Sequence, residues 1–268
     1  MIKDDFEMIV RRFPQNKDIR VYAVGDLHAG AIHSDLKGWE RFNQIILDDP
    51  YAYLIILGDM MNNATKSSVS NCYEDIMRPR DQKIYLKEHL ADLAKADRIL
   101  AILPGNHENR SLKEADDSPL YDVAAKLDLE DIYRDNIALI KLAIGNRDKA
   151  KVNAYTIFAT HGDGGGAMTG SYVNKCERYA KNYDGVDIFY FGHSHKPWVT
   201  KPDRIKVDCL KETVKQRGTV ICTGASWLAY VGYPVRKMLD PGHRFDPDQP
   251  MVTTFGGKQR GWKISINW

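Results

Sequence analysis

Five short runs along the 268-residue chain carry side chains able to hold metal ions: Asp26-Leu27-His28, Gly58-Asp59, Gly105-Asn106-His107-Glu108, Thr160-His161-Gly162 and Gly192-His193-Ser194-His195. Their imidazoles suit transition metals better than magnesium or calcium, and their carboxylates and amide add hard oxygen ligands. Each run follows a strand-like apolar stretch: Val21 to Val24, Tyr53 to Leu57, Ile99 to Leu103, Tyr155 to Ala159 and Ile188 to Phe191. Five strands would therefore deliver their last residues to one rim, where an open α/β sheet places its chemistry because the loops there converge on a crevice.

The intervening pattern supplies the elements that must position those residues. Ser34 can cap a helix whose apolar face holds Leu36, Trp39, Phe42 or Asn43, and Ile46. A stretch from Asn62 to Asn71 is too rich in Asn, Ser and Thr for a regular element. Leu86, Leu90, Leu93 and Ala94 predict an amphipathic helix between Pro79 and Arg98, and Ser118-Pro119 opens a short one with Leu120, Val123, Ala124 and Leu127 on one face. Ile137 to Ile144 and Val152 to Ala159 alternate on either side of a charged turn, which predicts a hairpin. The glycine triplet at 164–166 leads to a helix from about Ser171 to Lys181. From Ile205 onward short strands dominate, including Gly218 to Thr223 and the pair Met251 to Phe255 and Trp262 to Ile266. This order, βα units and then β-rich segments, fits two sheets packed face to face with helices outside. Any cut between Asp26 and His195 would split the ligands, so one domain over 1–268 is expected, β-rich from about 199.

Hydrophobic residues at 43% and charged residues at 28% are ordinary for a globular chain and argue against a disordered one. No apolar run approaches the ~20 residues of a membrane span, and the acidic start Asp4-Asp5-Phe6-Glu7 is unlike a signal peptide. The four cysteines, Cys72, Cys176, Cys209 and Cys222, are far apart and form no C-x-x-C pair, so they are read as reduced and a cytoplasmic location is expected. A net charge of +2 exerts no long-range pull on polyanions.

The five runs resemble the calcineurin-like metallophosphoesterase superfamily, whose pattern is D-x-H, G-D, G-N-H-D/E, a lone H and G-H-x-H. The resemblance covers roughly residues 20 to 200 and is specific because five separate islands agree. It implies a four-layer α/β/β/α sandwich of two mixed sheets flanked by helices. It implies one metal held by Asp26, His28, Asp59 and His195 and another by Asp59, Asn106, His161 and His193, with Asp59 as the bridge. Two cations about 3.5 to 4 Å apart repel, and a shared carboxylate offsets that repulsion while a bridging hydroxide becomes the nucleophile. Manganese is the first expectation for the pair, with iron, zinc or nickel also suited. By the same resemblance His107 gives a proton to the leaving oxygen or steadies charge on the phosphoryl group.

Departures from the family pattern bear on the substrate. Where many members continue G-D-x-x-D-R, this chain reads Gly58-Asp59-Met60-Met61-Asn62-Asn63. Asn62 can still hydrogen-bond an imidazole but brings no charge, and Asn63 cannot form a charged fork on phosphate. The residue before Gly105 is Pro104, not the Arg of Ser/Thr protein phosphatases. A dianionic monoester needs stronger cationic clamping than a monoanionic diester, so a phosphodiesterase acting on nucleic acid or a small or cyclic nucleotide is expected. Asn62, Asn63, Arg110 and His33 are the candidate substrate contacts, and Lys196 could add a phosphate contact. A phosphomonoesterase or nucleotide pyrophosphatase is the alternative on the same metals, and a non-catalytic scaffold is the third reading. The seven Lys or Arg against three acids between Lys196 and Arg217 could line a nucleic-acid channel or form a solvated face. Trp198, Trp227, Tyr230 and Tyr233 are read as packing ahead of base stacking. No membrane partner is expected, and the sequence is silent on the oligomeric state.

Overall fold

The structure, a computed structural model, describes residues 4–66, 68, 72–146, 152–164, 168–231, 235, 242 and 244–266. The strands are β1 (Ile9–Phe13), β2 (Ile19–Val24), β3 (Ala52–Ile56), β4 (Ile99–Ile102), β5 (Ala138–Ile144), β6 (Asn153–Thr160), β7 (Ile188–Phe191), β8 (Trp198–Thr200), β9 (Asp203–Asp208), β10 (Thr213–Gly218), β11 (Val220–Thr223), β12 (Val252–Phe255) and β13 (Trp262–Ser265). The helices are α1 (Leu36–Asp48), α2 (Pro79–Lys95), α3 (Glu108–Ala115), α4 (Pro119–Ala125) and α5 (Thr169–Ala180). Six strands form one mixed sheet in the order β1-β5-β6-β7-β11-β8, and five form a second in the order β13-β12-β2-β3-β4.

Side-chain alternation along the central strands shows why the first sheet is covered on both faces. Tyr155, Ile157 and Ala159 on β6, Ile188 and Tyr190 on β7, and Val220 and Cys222 on β11 face the core shared with the second sheet. Their neighbours Phe158, Phe189, Phe191 and Ile221 face the other way, onto Tyr172, Cys176 and Ala180 of α5. Both faces of β7 and β11 are buried, which is why they carry almost no polar residue. On the far side α1 packs on β3 and α2, α2 packs on α4, and Trp39, Phe42, Ile46, Leu86, Leu90 and Leu93 are fully buried. The architecture is the four-layer α/β/β/α sandwich expected.

Within each sheet the motif-bearing strands run parallel: β2, β3 and β4 in one, β6 and β7 in the other. Their carboxyl ends therefore share a rim. Three details differ from the sequence expectations. Asp35 caps α1, its Oδ1 accepting from Gly38 N at 3.0 Å, while the Ser34 hydroxyl donates to the Leu27 carbonyl at 2.6 Å. Strand β1 and helix α3 were not anticipated: β1 is a short edge strand parallel to β5 whose five residues alternate in and out, and α3 is two turns with one buried residue, Glu108.

The basic segment after His195 does not gather beside the rim. β8 runs antiparallel to β11, with Trp198 opposite Thr223, so the chain leaves the rim along β8 and the β9–β10 hairpin starts at the opposite end. There Arg204 donates to the Tyr183 and Ala180 carbonyls at the end of α5, and Arg217 pairs with Asp187 just ahead of β7. Trp227 is fully buried, in T-shaped contact with Trp39 and stacked on Phe245. Tyr233, the charged turn at 147–151 and the last two glycines of the triplet lie outside the described residues. Among the described residues no helix is long and apolar enough to cross a membrane.

Phe158 is fully buried at the centre of the α5-facing cluster, 5.2 Å from Phe189 and 4.7 Å from Tyr183 between ring centroids. Phe158→Ala should cost about 3 to 5 kcal/mol of stability, the usual range for a large cavity. Urea unfolding followed by circular dichroism reads it directly; a loss under about 1 kcal/mol would mean that α5 does not depend on this cluster.

Candidate metal centre

All five loops meet at the rim, and the backbone locks them to one another. Asp26 N donates to the Gly58 carbonyl and His28 N to the Asp59 carbonyl, each at 2.9 Å. The second and third loops cross at glycines: a Cβ on Gly58, at φ +87°, would lie 2.3 Å from Gly105 N, and one on Gly105 would lie 2.1 Å from Asp59 Oδ1. Any larger residue at either position would push the loops apart. Asp26, His28, Asp59, Asn63, His193 and His195 all adopt left-handed backbone conformations, with φ between 43° and 69°. Such φ values are uncommon outside glycine, and their concentration here marks a place where the surroundings overrule local preference.

Ligand-type atoms converge without ordinary partners. His28 Nε2 lies 3.3 Å from His195 Nε2, and His195 Nε2 lies 3.1 Å from Asp26 Oδ1. His161 Nε2 lies 3.3 Å from both His193 Nδ1 and Asp59 Oδ2, while Asn106 Oδ1 lies 2.8 Å from His193 Nδ1 and 3.1 Å from His161 Nε2. Asp59 Oδ2 is also 3.9 Å from His28 Nε2, so this one oxygen sits between the two groups. The sets Asp26/His28/His195 and Asp59/His161/His193 each bring their donor atoms within 4.8 Å of one another, as does His28/Asp59/His107. Among the described residues Asp26 Oδ1 is buried with no partner of hydrogen-bond geometry, the His195 ring nitrogen at 3.1 Å being its polar neighbour, a costly state for a carboxylate oxygen that a cation would relieve. Two histidine nitrogens and a carboxylate oxygen in each set form a donor chemistry suited to a divalent transition metal.

Surrounding groups orient these side chains. His161 Nδ1 is 2.7 Å from the Leu57 carbonyl, which fixes the proton there and leaves Nε2 to face Asp59. His193 N donates to Asp26 Oδ2 at 3.1 Å, and the Ser226 hydroxyl and Trp227 N both donate to the Asp26 carbonyl. Glu108 was not assigned a role from sequence, yet it ties two loops together. Its buried carboxylate accepts from Asp59 N at 2.9 Å, Met61 N at 2.9 Å and Gly105 N at 2.8 Å. A carboxylate beside Asn106-His107 in a glycine-bearing turn was the only signal for it. Tyr172 is a second such residue, its hydroxyl donating to the Gly192 carbonyl at 2.9 Å.

Electrostatics follow from this crowding. Burial pushes the Asp59 carboxyl up, but His161, His107 and His28 outweigh it and hold it well below the usual range. Burial, and after it the Asp59 charge, lifts Glu108 to about 7. Burial lowers His161, but Asp59 reverses this and raises it to about 10. Burial, followed by the neighbouring His107, holds His28 well below its ordinary value.

His107 N donates to Asp59 Oδ1 at 2.8 Å, and its ring spans two partners: Nδ1 is 2.8 Å from the Asn62 carbonyl and Nε2 is 2.9 Å from Arg110 Nη2. A carbonyl accepts and a guanidinium donates, so Nδ1 carries the proton and Nε2 the lone pair. Arg110 also donates to the Asn62 carbonyl at 3.1 Å. The side chain of Asn62 is turned to Asp75, donating to its Oδ1 at 2.7 Å. Asn63 is buried, its amide donating to the His107 carbonyl and to Ser111 Oγ, each at 2.8 Å, and its backbone N donating to Gln82 Oε1 at 2.9 Å. His33 is exposed, and its carbonyl accepts from Ala229 N at 3.1 Å. Thus the seven expected ligands, His107 and Arg110 come together; Asn63 faces the protein interior, and His33 makes no described contact with the cluster.

Comparisons with known proteins agree with the geometry. A family model described as calcineurin-like phosphoesterase matches residues 19–197. Similar solved structures include a metallophosphoesterase from Sphaerobacter thermophilus, 12% identical over 94% of this chain and 89% of that one at a TM-score of 0.42. A conserved uncharacterised protein, a predicted phosphoesterase, from Streptococcus pneumoniae is 10% identical over 93% and 98% at 0.36. Vps29 complexed with zinc from Entamoeba histolytica is 14% identical over 93% and 98% at 0.38. These structural likenesses are too distant to bear on activity, and no curated protein matches the chain. The family match alone spans well over half of the sequence and contains every residue of the cluster: the chain belongs to the calcineurin-like phosphoesterase family.

Proposed function

We propose that the protein is a binuclear metal-dependent phosphodiesterase acting on a nucleotide-type diester. Asp26, His28, Asp59 and His195 would hold one divalent cation, and Asp59, Asn106, His161 and His193 the other, with manganese the first candidate. When bound, the pair supplies Lewis acidity toward the phosphoryl group and makes water a nucleophile near neutral pH. The observation that carries the reading is the position of Asp59 Oδ2 between the two sets, 3.9 Å from His28 Nε2 and 3.3 Å from His161 Nε2.

The chain's own residues take three further tasks. The Asn62 carbonyl fixes Nδ1–H of His107, and the Nε2 lone pair, which faces Arg110 at 2.9 Å, would take up a proton and pass it to the leaving oxygen. Burial, and more weakly Arg110, lowers His107, which makes its protonated form a readier donor. Arg110, half-buried beside His107, contributes the positive charge for phosphate. Asn63, where a second guanidinium would help to grip a dianion, is buried and its amide is spent on His107 and Ser111. One guanidinium suits a monoanionic diester better than a dianionic monoester. Asn62 then acts through its carbonyl, as an orienting group for His107 and Arg110.

With manganese supplied, turnover of bis-p-nitrophenyl phosphate should exceed that of p-nitrophenyl phosphate at least tenfold in kcat/KM; a clear preference for the monoester would replace the diesterase reading with a phosphomonoesterase. His107→Ala should lower kcat by about 10²- to 10⁴-fold, the usual worth of general acid catalysis. Metal content of the purified variant, read by inductively coupled plasma mass spectrometry, should stay at two per chain; parallel loss of metal and turnover would place His107 among the ligands.

A further inference from the structure

A cavity of about 260 Å³ opens between the two sheets on the side of the sandwich where β8 and β13 are the edge strands. Its apolar walls include Ala23, Pro197, Ala225 and Met251, and Arg244 and Gln249 stand among its polar lining. The volume lies just below the ~300 Å³ at which small-molecule sites begin, so it suits one compact group and not a strand of nucleic acid.

The walls are continuous with the metal centre. Pro197 follows His195 by two residues, which places their Cα atoms within ~7.6 Å of each other. Ala225 precedes Ser226 and Trp227, both of which bond the Asp26 carbonyl. The other side is built just as firmly: Phe245 N donates to the Ser226 carbonyl at 2.7 Å, and the Phe245 ring stacks on Trp227 at 4.1 Å. Arg244 is braced by Asp35 at 2.8 Å, while Gln249 is exposed and held at its backbone, its N donating to the Asp246 carbonyl at 3.1 Å. The cavity is thus apolar at the buried Ala23 and Ala225, polar at the exposed Arg244 and Gln249, and walled by residues that adjoin the cluster along the chain. A primary amide offers a donor beside an acceptor, the pattern that pairs with the edge of a nucleobase.

From these features we infer that the cavity is the nucleoside subsite of the enzyme: the base enters between Ala23, Ala225 and Met251 while Gln249 reads its edge. This rests on the phosphodiesterase reading for its substrate but on the cavity alone for its ligand. The test pairs two variants, Ala225→Leu to fill the cavity and Gln249→Ala at its mouth, with two readouts. The first is binding of adenosine to metal-free protein by isothermal titration calorimetry. The second is the ratio of kcat/KM for adenosine 5′-(p-nitrophenyl phosphate) over bis-p-nitrophenyl phosphate.

The parent protein should bind adenosine and favour the nucleoside ester. Ala225→Leu should abolish adenosine binding and lower the ratio about tenfold or more, and Gln249→Ala should weaken both by about three- to tenfold. Equal binding and an unchanged ratio in folded variants, judged by thermal melting, would overturn the subsite; if Ala225→Leu does not fold, Gln249→Ala decides alone. A parent protein inert toward bis-p-nitrophenyl phosphate would sink the diesterase reading, and adenosine binding that is lost on filling the cavity would still sustain the site. Failure of the parent protein to bind adenosine would end the inference even with the diesterase active.

Discussion

One buried carboxylate organises this protein. Asp59 is 1% exposed, and burial by itself would drive it to the neutral acid. Three imidazoles prevent this, and the resulting negative charge holds His161, His28 and His107 around a single oxygen. The backbone is shaped to permit it. Gly58 and Gly105 let two loops cross with no side chain between them, and Glu108 fastens both loops from beneath through three backbone N–H groups. Positive φ angles at Asp26, His28, Asp59, His193 and His195 are the conformational cost of presenting so many polar groups to one point.

The sandwich explains why the site needs both sheets. Asp26, His28, Asp59 and Asn106 follow β2, β3 and β4, whereas His161, His193 and His195 follow β6 and β7. Each three-residue set that includes His195 or His193 draws on both sheets. A ligand held there would cross-link the two halves of the core, so binding free energy and folding free energy are joined. Protein contacts already make the same junction further in: the Tyr190 hydroxyl on β7 donates to Thr253 Oγ1 on β12 at 2.6 Å, and His161 Nδ1 reaches the Leu57 carbonyl after β3.

The candidate ligand positions stood out because each run follows an apolar strand, and the resemblance to the family pattern then sorted them into two sets. The central strands and α1, α2, α4 and α5 were legible for the same reason, since burial on one or both faces imposes a period. What stayed hidden is held by distance in sequence. Asp75 meets Asn62 across a polar loop with no periodicity, Gln82 reaches Asn63 from α2, and Glu108 binds Asp59 from 49 residues away. The Asn62-Asn63 pair could be seen to lack charge, but that Asn63 turns inward to Ser111 depends on α3, whose eight residues bury one side chain and leave almost no apolar signature. For the basic stretch after His195 a channel beside the site and a solvated face were both open, and the mostly exposed β9 and β10 favour the second. Adjacency in sequence to the last motif could not decide between them; the course of β8, which carries the chain to the far end of the sheet, does.

The sharing of Asp59 is tested most directly by anomalous diffraction from crystals grown with manganese. Two anomalous peaks about 3.5 to 4 Å apart are expected, with an Asp59 oxygen as their common neighbour, His28 and His195 beside one and His161 and His193 beside the other. A single peak, or two peaks of which only one touches Asp59, would contradict it.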